Sequence, residues 1–181
     1  MNLPNKLTII RVMMIPLYLI FMLIPQIPYG RIVAGIIFTV AAVTDALDGY
    51  IARKNNLITN FGKFMDPLAD KILVCSALIC FVDLGLMPGW IAIIIIAREF
   101  IVSGFRLIAS DNGIVLAAGW WGKIKTIVQI IMSVMLTVDL DFEFINILEV
   151  IFVYLALALT IISMMDYLIK NRSLLFTNTN K

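Results

Sequence analysis

Four aspartates, Asp45, Asp48, Asp66 and Asp70, fall within residues 45–70 of a strongly apolar chain. An ionised carboxylate in such surroundings is several kcal/mol uphill unless something compensates it. Brought together, the four also repel one another: two unit charges about 4 Å apart cost about 4 kcal/mol at an effective dielectric of about 20. Two divalent cations would supply the missing positive charge. All-oxygen ligands, with no imidazole or thiolate among them, favour Mg²⁺, Mn²⁺ or Ca²⁺ over zinc. Paired hard cations suit phosphoryl chemistry, in which they clamp the attacking and leaving oxygens. The competing explanation is ion pairing of each aspartate with Arg53, Lys54, Lys63 or Lys71. Gly49 and Gly62 accompany the carboxylates, where a missing side chain admits a ligand to the backbone or lets two helices pack closely. Histidine is absent, which excludes a His general base and a His-ligated metal. Cys75 and Cys80 match no zinc spacing and read as space-filling residues.

The elements that must position these residues are transmembrane helices. Of the 181 residues, 62% are hydrophobic, and the mean hydropathy is +1.02; soluble domains hold about 45–50% apolar residues. The chain therefore reads as all-α, an integral membrane protein with one domain over residues 1–181. A span needs about 20 mostly apolar residues. Six stretches qualify, about 8–25, 31–53, 64–85, 88–109, 120–138 and 145–169. Pro25, Pro28 and Gly30 separate the first two, Asn55 to Gly62 the next pair, and Gly85, Pro88 and Gly89 the third and fourth. Lys6 and Arg11 precede an apolar run that continues to Ile24 with no small-residue cleavage site after it, so it reads as a first transmembrane helix with a short amphipathic lead-in and not as a signal peptide.

With six spans both termini share one side. That side receives Lys6, Arg11, Arg53, Lys63, Lys71, Arg98, Arg106, Lys123, Lys125 and Lys170, while the other receives Arg31 and the acidic loop of Asp139, Asp141 and Glu143. The positive-inside rule then places both termini in the cytoplasm. Counting about 1.5 Å per residue from the outer helix ends, Asp45 lies about 21 Å down the second helix, Asp70 about 22 Å down the third, and Lys125 about 21 Å down the fifth. On the fourth, Arg98 and Arg106 lie about 15 and 27 Å down. Charges from four helices thus converge at one depth, just inside the cytoplasmic boundary of a hydrocarbon slab about 30 Å thick. At helical spacing, Asp45, Asp48, Gly49 and Ala52 share one stripe, and Gly62, Asp66 and Asp70 another.

The pattern D-x-x-D-G-x-x-A-R, eight residues, then G-x-x-x-D-x-x-x-D resembles the signature of the CDP-alcohol phosphotransferases. Asp45, Asp48, Gly49, Ala52, Arg53, Gly62, Asp66 and Asp70 match it at every position. The resemblance implies six transmembrane helices, a homodimer, and a dinuclear site open to the cytoplasm of a bacterial membrane. It implies that Asp45, Asp48, Asp66 and Asp70 hold two Mg²⁺ or Mn²⁺ ions. Asp48, Gly49, Arg53 and Gly62 would help to hold the CDP part of a CDP-linked donor, and Asp70 would take the proton from the attacking alcohol. A metal-bound carboxylate is a weak base, so the metal would share in activating the hydroxyl. The segments 4–11, 97–106 and 122–126 look like the branch of the family that transfers a phosphatidyl group from CDP-diacylglycerol to glycerol 3-phosphate.

The remaining charges agree with that branch on their own chemistry. Lys63, Arg106, Lys123 and Lys125, with Arg98 as a weaker member, outnumber the nearby acids not committed to metal. A basic pocket beside a metal site suits an anionic acceptor such as glycerol 3-phosphate, through bidentate arginine contacts and lysine point charges. Snorkelling to lipid headgroups accounts for Lys123 and Arg106 equally well, and pairing with the adjacent Glu99 would account for Arg98. Two other readings stay open at this point: a sister enzyme whose acceptor is inositol phosphate or serine, and, more distantly, a divalent-cation carrier or channel.

Overall fold

The computed structural model describes residues 3–54, 60–111 and 119–172. Within these segments, the side chains of residues 3–7, 46–54, 60–64, 66, 67, 110 and 111 lie outside the described set. The described residues form α-helices and no strand: α1 (Leu3–Leu23), α2 (Gly30–Lys54), α3 (Asn60–Asp83), α4 (Gly89–Asp111), α5 (Trp120–Val138) and α6 (Glu143–Lys170).

These helices end where the sequence supplies breakers. At the end of α3, Gly85 adopts φ +73°. The Gly85 N–H donates to Val82 O at 3.1 Å and the Leu86 N–H to Phe81 O at 2.8 Å. This pair of bonds satisfies carbonyls that the last helical turn leaves open, and glycine adopts the left-handed conformation at no steric cost. The lead-in expected ahead of the first span is not a separate element: α1 is one continuous helix from Leu3. Pro4 falls in its first turn, where an absent N–H forfeits no intrahelical bond.

The chain divides into two compact units, Met1–Met87 with Ser133–Asn146, and Pro88–Met132 with Ile147–Lys181. In the first unit, α1 packs against both α2 and α3, which also touch each other. Its core holds Tyr18, Ala34, Phe38, Ala41, Leu78 and Phe81, all buried. The Tyr18 ring lies 5.8 Å from that of Phe38, and its hydroxyl is 3.2 Å from Thr137 Oγ1. Arg31 reaches from the start of α2 to the end of α5. It pairs with Asp139, a residue at φ 46°, and its Nη2 donates to Leu136 O at 3.1 Å. The guanidinium thus caps an open carbonyl in the last turn of α5, the end of a helix that favours cations.

In the second unit, Ile91, Ile95 and Val102 on α4 are buried, as are Val153, Ala156, Thr160, Ser163 and Tyr167 on α6. Those α6 residues recur at intervals of three and four, the repeat of one helix face. The buried hydroxyls donate within α6, Thr160 to Ala156 O at 2.7 Å and Ser163 to Thr160 O at 3.0 Å. Phe105 meets Tyr167 edge-on, with centroids 6.4 Å apart.

Every helix also presents large apolar side chains outward: Met13, Ile36, Ile79, Ile93, Ile127 and Ile169 are each more than half exposed. Among the described residues, α5 and α6 are long and apolar enough to cross a membrane. The expectation of six transmembrane helices is therefore met in helix count, and in length and apolarity by two. Within α4, Arg98, Glu99 and Arg106 interrupt the apolar run, and the apolar stretch described in α1, Thr8–Leu23, is shorter.

A Cβ on Gly35 would stand 2.6 Å from Val138 Cγ2. The valine is stiff at χ1, so its methyl cannot simply swing aside. Gly35→Ala is expected to destabilise the protein by about 1–3 kcal/mol, read as a lower thermal midpoint in detergent. Gly104→Ala, where a Cβ meets nothing within 4 Å, is expected to hold that midpoint or raise it.

Candidate active site

The backbone positions the motif as its spacing requires. Asp45, Asp48, Gly49, Ala52 and Arg53 lie in α2, and Gly62, Lys63, Asp66 and Asp70 in α3. The side chains of Asp48, Arg53, Lys63 and Asp66, and the surroundings of Gly49 and Gly62, lie outside the described residues.

Of the four carboxylates, Asp45 and Asp70 are described, and both are partly exposed. Asp45 Oδ1 accepts a hydrogen bond from Arg11 Nη1 at 2.5 Å; the Asp45 side chain is 35% exposed, the Arg11 side chain 0%. Arg11 comes from α1, so its guanidinium ties α1 to α2 inside the first unit. None of the cations weighed from the sequence as partners of Asp45 is the one this pair uses. The complete burial of the Arg11 side chain places it in the interior of the first unit. Thr8, three residues before it on the same helix, is fully buried as well. Removing Asp45 would take this compensating charge from a fully buried guanidinium. Among the described residues no three acidic, cysteine or histidine side chains gather as a metal cluster. The expected four-carboxylate group includes two side chains outside that set.

The second unit holds most of the cations expected to bind an acceptor phosphate. Arg98 Nη1 donates to Glu99 Oε1 at 3.2 Å, and Lys125 Nζ donates to the same oxygen. Lys125 is 1% exposed. The pairing of Arg98 with its chain neighbour is thus present, and Lys125 joins it from α5. Arg106 and Lys123 are exposed, as snorkelling side chains would be. The Arg106 guanidinium stands 6.0 Å from the centre of the Tyr167 ring, within the range of a cation–π contact. Near the end of α6, Asp166 pairs with Lys170 at 2.7 Å.

Two contacts escape a sequence reading. Glu99 is expected beside Arg98, but its bond to Lys125 depends on how α4 and α5 are rotated against each other. Tyr167 looks like one more apolar-face residue of α6, and nothing in its spacing announces Arg106.

Comparison with known proteins places these features in a family. The model of the CDP-alcohol phosphatidyltransferases matches residues 1–162. The CDP-diacylglycerol–glycerol-3-phosphate 3-phosphatidyltransferase of Bacillus subtilis is 44% identical over 98% of this chain and 98% of its own. The Haemophilus influenzae protein of the same name is 41% identical over 92% of this chain and 91% of its own. A probable phosphatidylglycerophosphate synthase of Mycobacterium tuberculosis is 38% identical over 92% of this chain and 79% of its own. With a complete aspartate motif on two consecutive helices and likeness along nearly its whole length, the chain belongs to the CDP-alcohol phosphatidyltransferase family.

Proposed function

We propose that this chain transfers the phosphatidyl group of CDP-diacylglycerol to the primary hydroxyl of sn-glycerol 3-phosphate, giving phosphatidylglycerol phosphate and CMP in anionic phospholipid synthesis. The observation that carries this reading is the 44% identity, end to end, with a relative of that name. The cations of the second unit support an anionic acceptor over serine, and the likeness to that relative supports glycerol 3-phosphate over inositol phosphate.

One domain, residues 1–181, does this work in the proposal. It sits as a multi-pass protein in the bacterial cytoplasmic membrane, with both termini and the site on the cytoplasmic side. The outward-facing apolar side chains on every helix and the one-sided distribution of lysine and arginine support that placement. A homodimer is carried over from the family resemblance.

Asp45, Asp48, Asp66 and Asp70 are the proposed holders of two Mg²⁺ or Mn²⁺ ions. The donor set is carboxylate oxygen throughout, and Asp45 and Asp70 both keep accessible surface; these residues fit hard divalent cations. Bound there, such ions supply Lewis-acid polarisation of phosphoryl oxygen and acidify a coordinated hydroxyl. The chain's own residues do the rest. Asp48, Gly49, Arg53 and Gly62 hold the CDP moiety, and Arg53 offsets the negative charge that grows on departing CMP. Lys63, Arg98, Arg106, Lys123 and Lys125 hold the phosphate of the acceptor. The acceptor's primary oxygen forms a bond to the phosphorus that carries diacylglycerol. The bond from that phosphorus to CMP breaks, and Asp70 takes the hydroxyl proton.

CMP release by the purified protein, with CDP-diacylglycerol and Mg²⁺, is expected with glycerol 3-phosphate and not with serine or inositol phosphate. Turnover confined to one of those alcohols would replace the acceptor named here. Exhaustive chelation is expected to abolish release, and added Mg²⁺ or Mn²⁺ to restore it; full activity in chelator would remove the metal reading. Asp70→Asn is expected to lower kcat by about 10²–10⁴, measured in the same assay at saturating substrates.

A further inference from the structure

Glu99 has no place in the reaction as described, yet it binds two of the cations assigned to the acceptor. Its Oε1 accepts from Arg98 Nη1 and from Lys125 Nζ. The three side chains are 10%, 19% and 2% exposed for Arg98, Glu99 and Lys125 respectively. Water therefore screens them less than it would on the surface.

The surroundings offer Arg98 few alternatives. It lines a cleft of about 250 Å³ with Ile94, Ala97, Ile101, Ile161 and Met164, none of whose side chains can bond a guanidinium. Thr160 shares the cleft, where its hydroxyl donates to Ala156 O at 2.7 Å. The Nε of Arg98 is buried with no hydrogen-bond partner. Lys125 needs a fixed partner for another reason: an ammonium on a four-carbon stem stands wherever its strongest bond holds it. A single carboxylate oxygen, shared by both, fixes their separation and keeps their mutual repulsion in check. The group retains one net positive charge.

We propose that Glu99 is a positioning residue for the acceptor: it holds Arg98 and Lys125 in place to receive the phosphate of the alcohol. This rests on the acceptor reading given above. Glu99 itself stays behind the cations and does not touch substrate. A carboxylate on one side and a phosphate on the other then bracket the two cations in alternating charge. A neutral side chain at position 99 leaves two buried cations to repel each other, and the pocket loses its geometry before substrate arrives.

The test is a Michaelis analysis of CMP release by the full-length protein in detergent or nanodiscs, varying each substrate in turn. Glu99→Gln is expected to raise KM for glycerol 3-phosphate about tenfold or more and to leave KM for CDP-diacylglycerol little changed, alongside a lower thermal midpoint from the two cations left uncompensated. Lys125→Met is expected to raise the same KM, and the double variant to be no worse than Lys125→Met alone, the sign of two residues acting as one unit. If Glu99→Gln does not fold, Glu99→Asp carries the test, with the same split expected at smaller size. An unchanged or lower KM for glycerol 3-phosphate on altering Glu99, while Lys125→Met still raises it, overturns the role of Glu99 and leaves the acceptor pocket standing. A Lys125→Met enzyme with unaltered KM overturns both. Equal rises in KM for both substrates, or a fall in the thermal midpoint with neither KM moved, assign Glu99 to packing and overturn the proposal.

Discussion

A guanidinium with no exposed surface is the constraint around which the first unit is arranged. Arg11 is among the largest fully buried side chains of the protein, and its charge is tolerable there because Asp45 faces it at 2.5 Å. An isolated ion in a low-dielectric interior is costly enough that its partner must be in position whenever the helices are. Helix α1 therefore cannot pack on α2 in an arbitrary rotation. The same logic recurs in the second unit, where Arg98, Glu99 and Lys125 settle their charges among themselves.

Much of this was legible in a one-dimensional string because its signals are local. Proline, glycine and asparagine clusters mark the helix ends to within a few residues, except at the start of α1, where the apolar count begins later than the helix does. The motif's intervals of three and four fix which residues share a helix face, and the backbone of α2 and α3 runs unbroken through them. What stayed hidden depends on how one helix is turned against another. The contacts of Arg11 with Asp45, Lys125 with Glu99, and Gly35 with Val138 join residues far apart in the chain. Apolar periodicity says which face of a helix is buried; it does not say which neighbour buries it.

The two kinds of charge are also divided in a way that suits a two-substrate reaction. The four motif aspartates lie on α2 and α3, and four of the five cations assigned to the acceptor lie on α4 and α5. Under the proposed reaction the acids serve the pyrophosphate donor by way of hard cations, and the bases serve an anionic alcohol directly. Lys63 on α3 is the exception among the acceptor cations; the others stand on helices that carry none of the motif aspartates.

Helix α2 carries an ionic tie at each end of the segment between Arg31 and Asp45: Arg31 to Asp139 and Leu136 O at one end, Asp45 to Arg11 at the other. The two ties are about 21 Å apart along the axis. A piston-like slide of one residue, about 1.5 Å, would pull against both at once. Whatever rearrangement accompanies turnover, this helix is left with tilting and twisting as its soft modes, and lengthwise travel is closed to it.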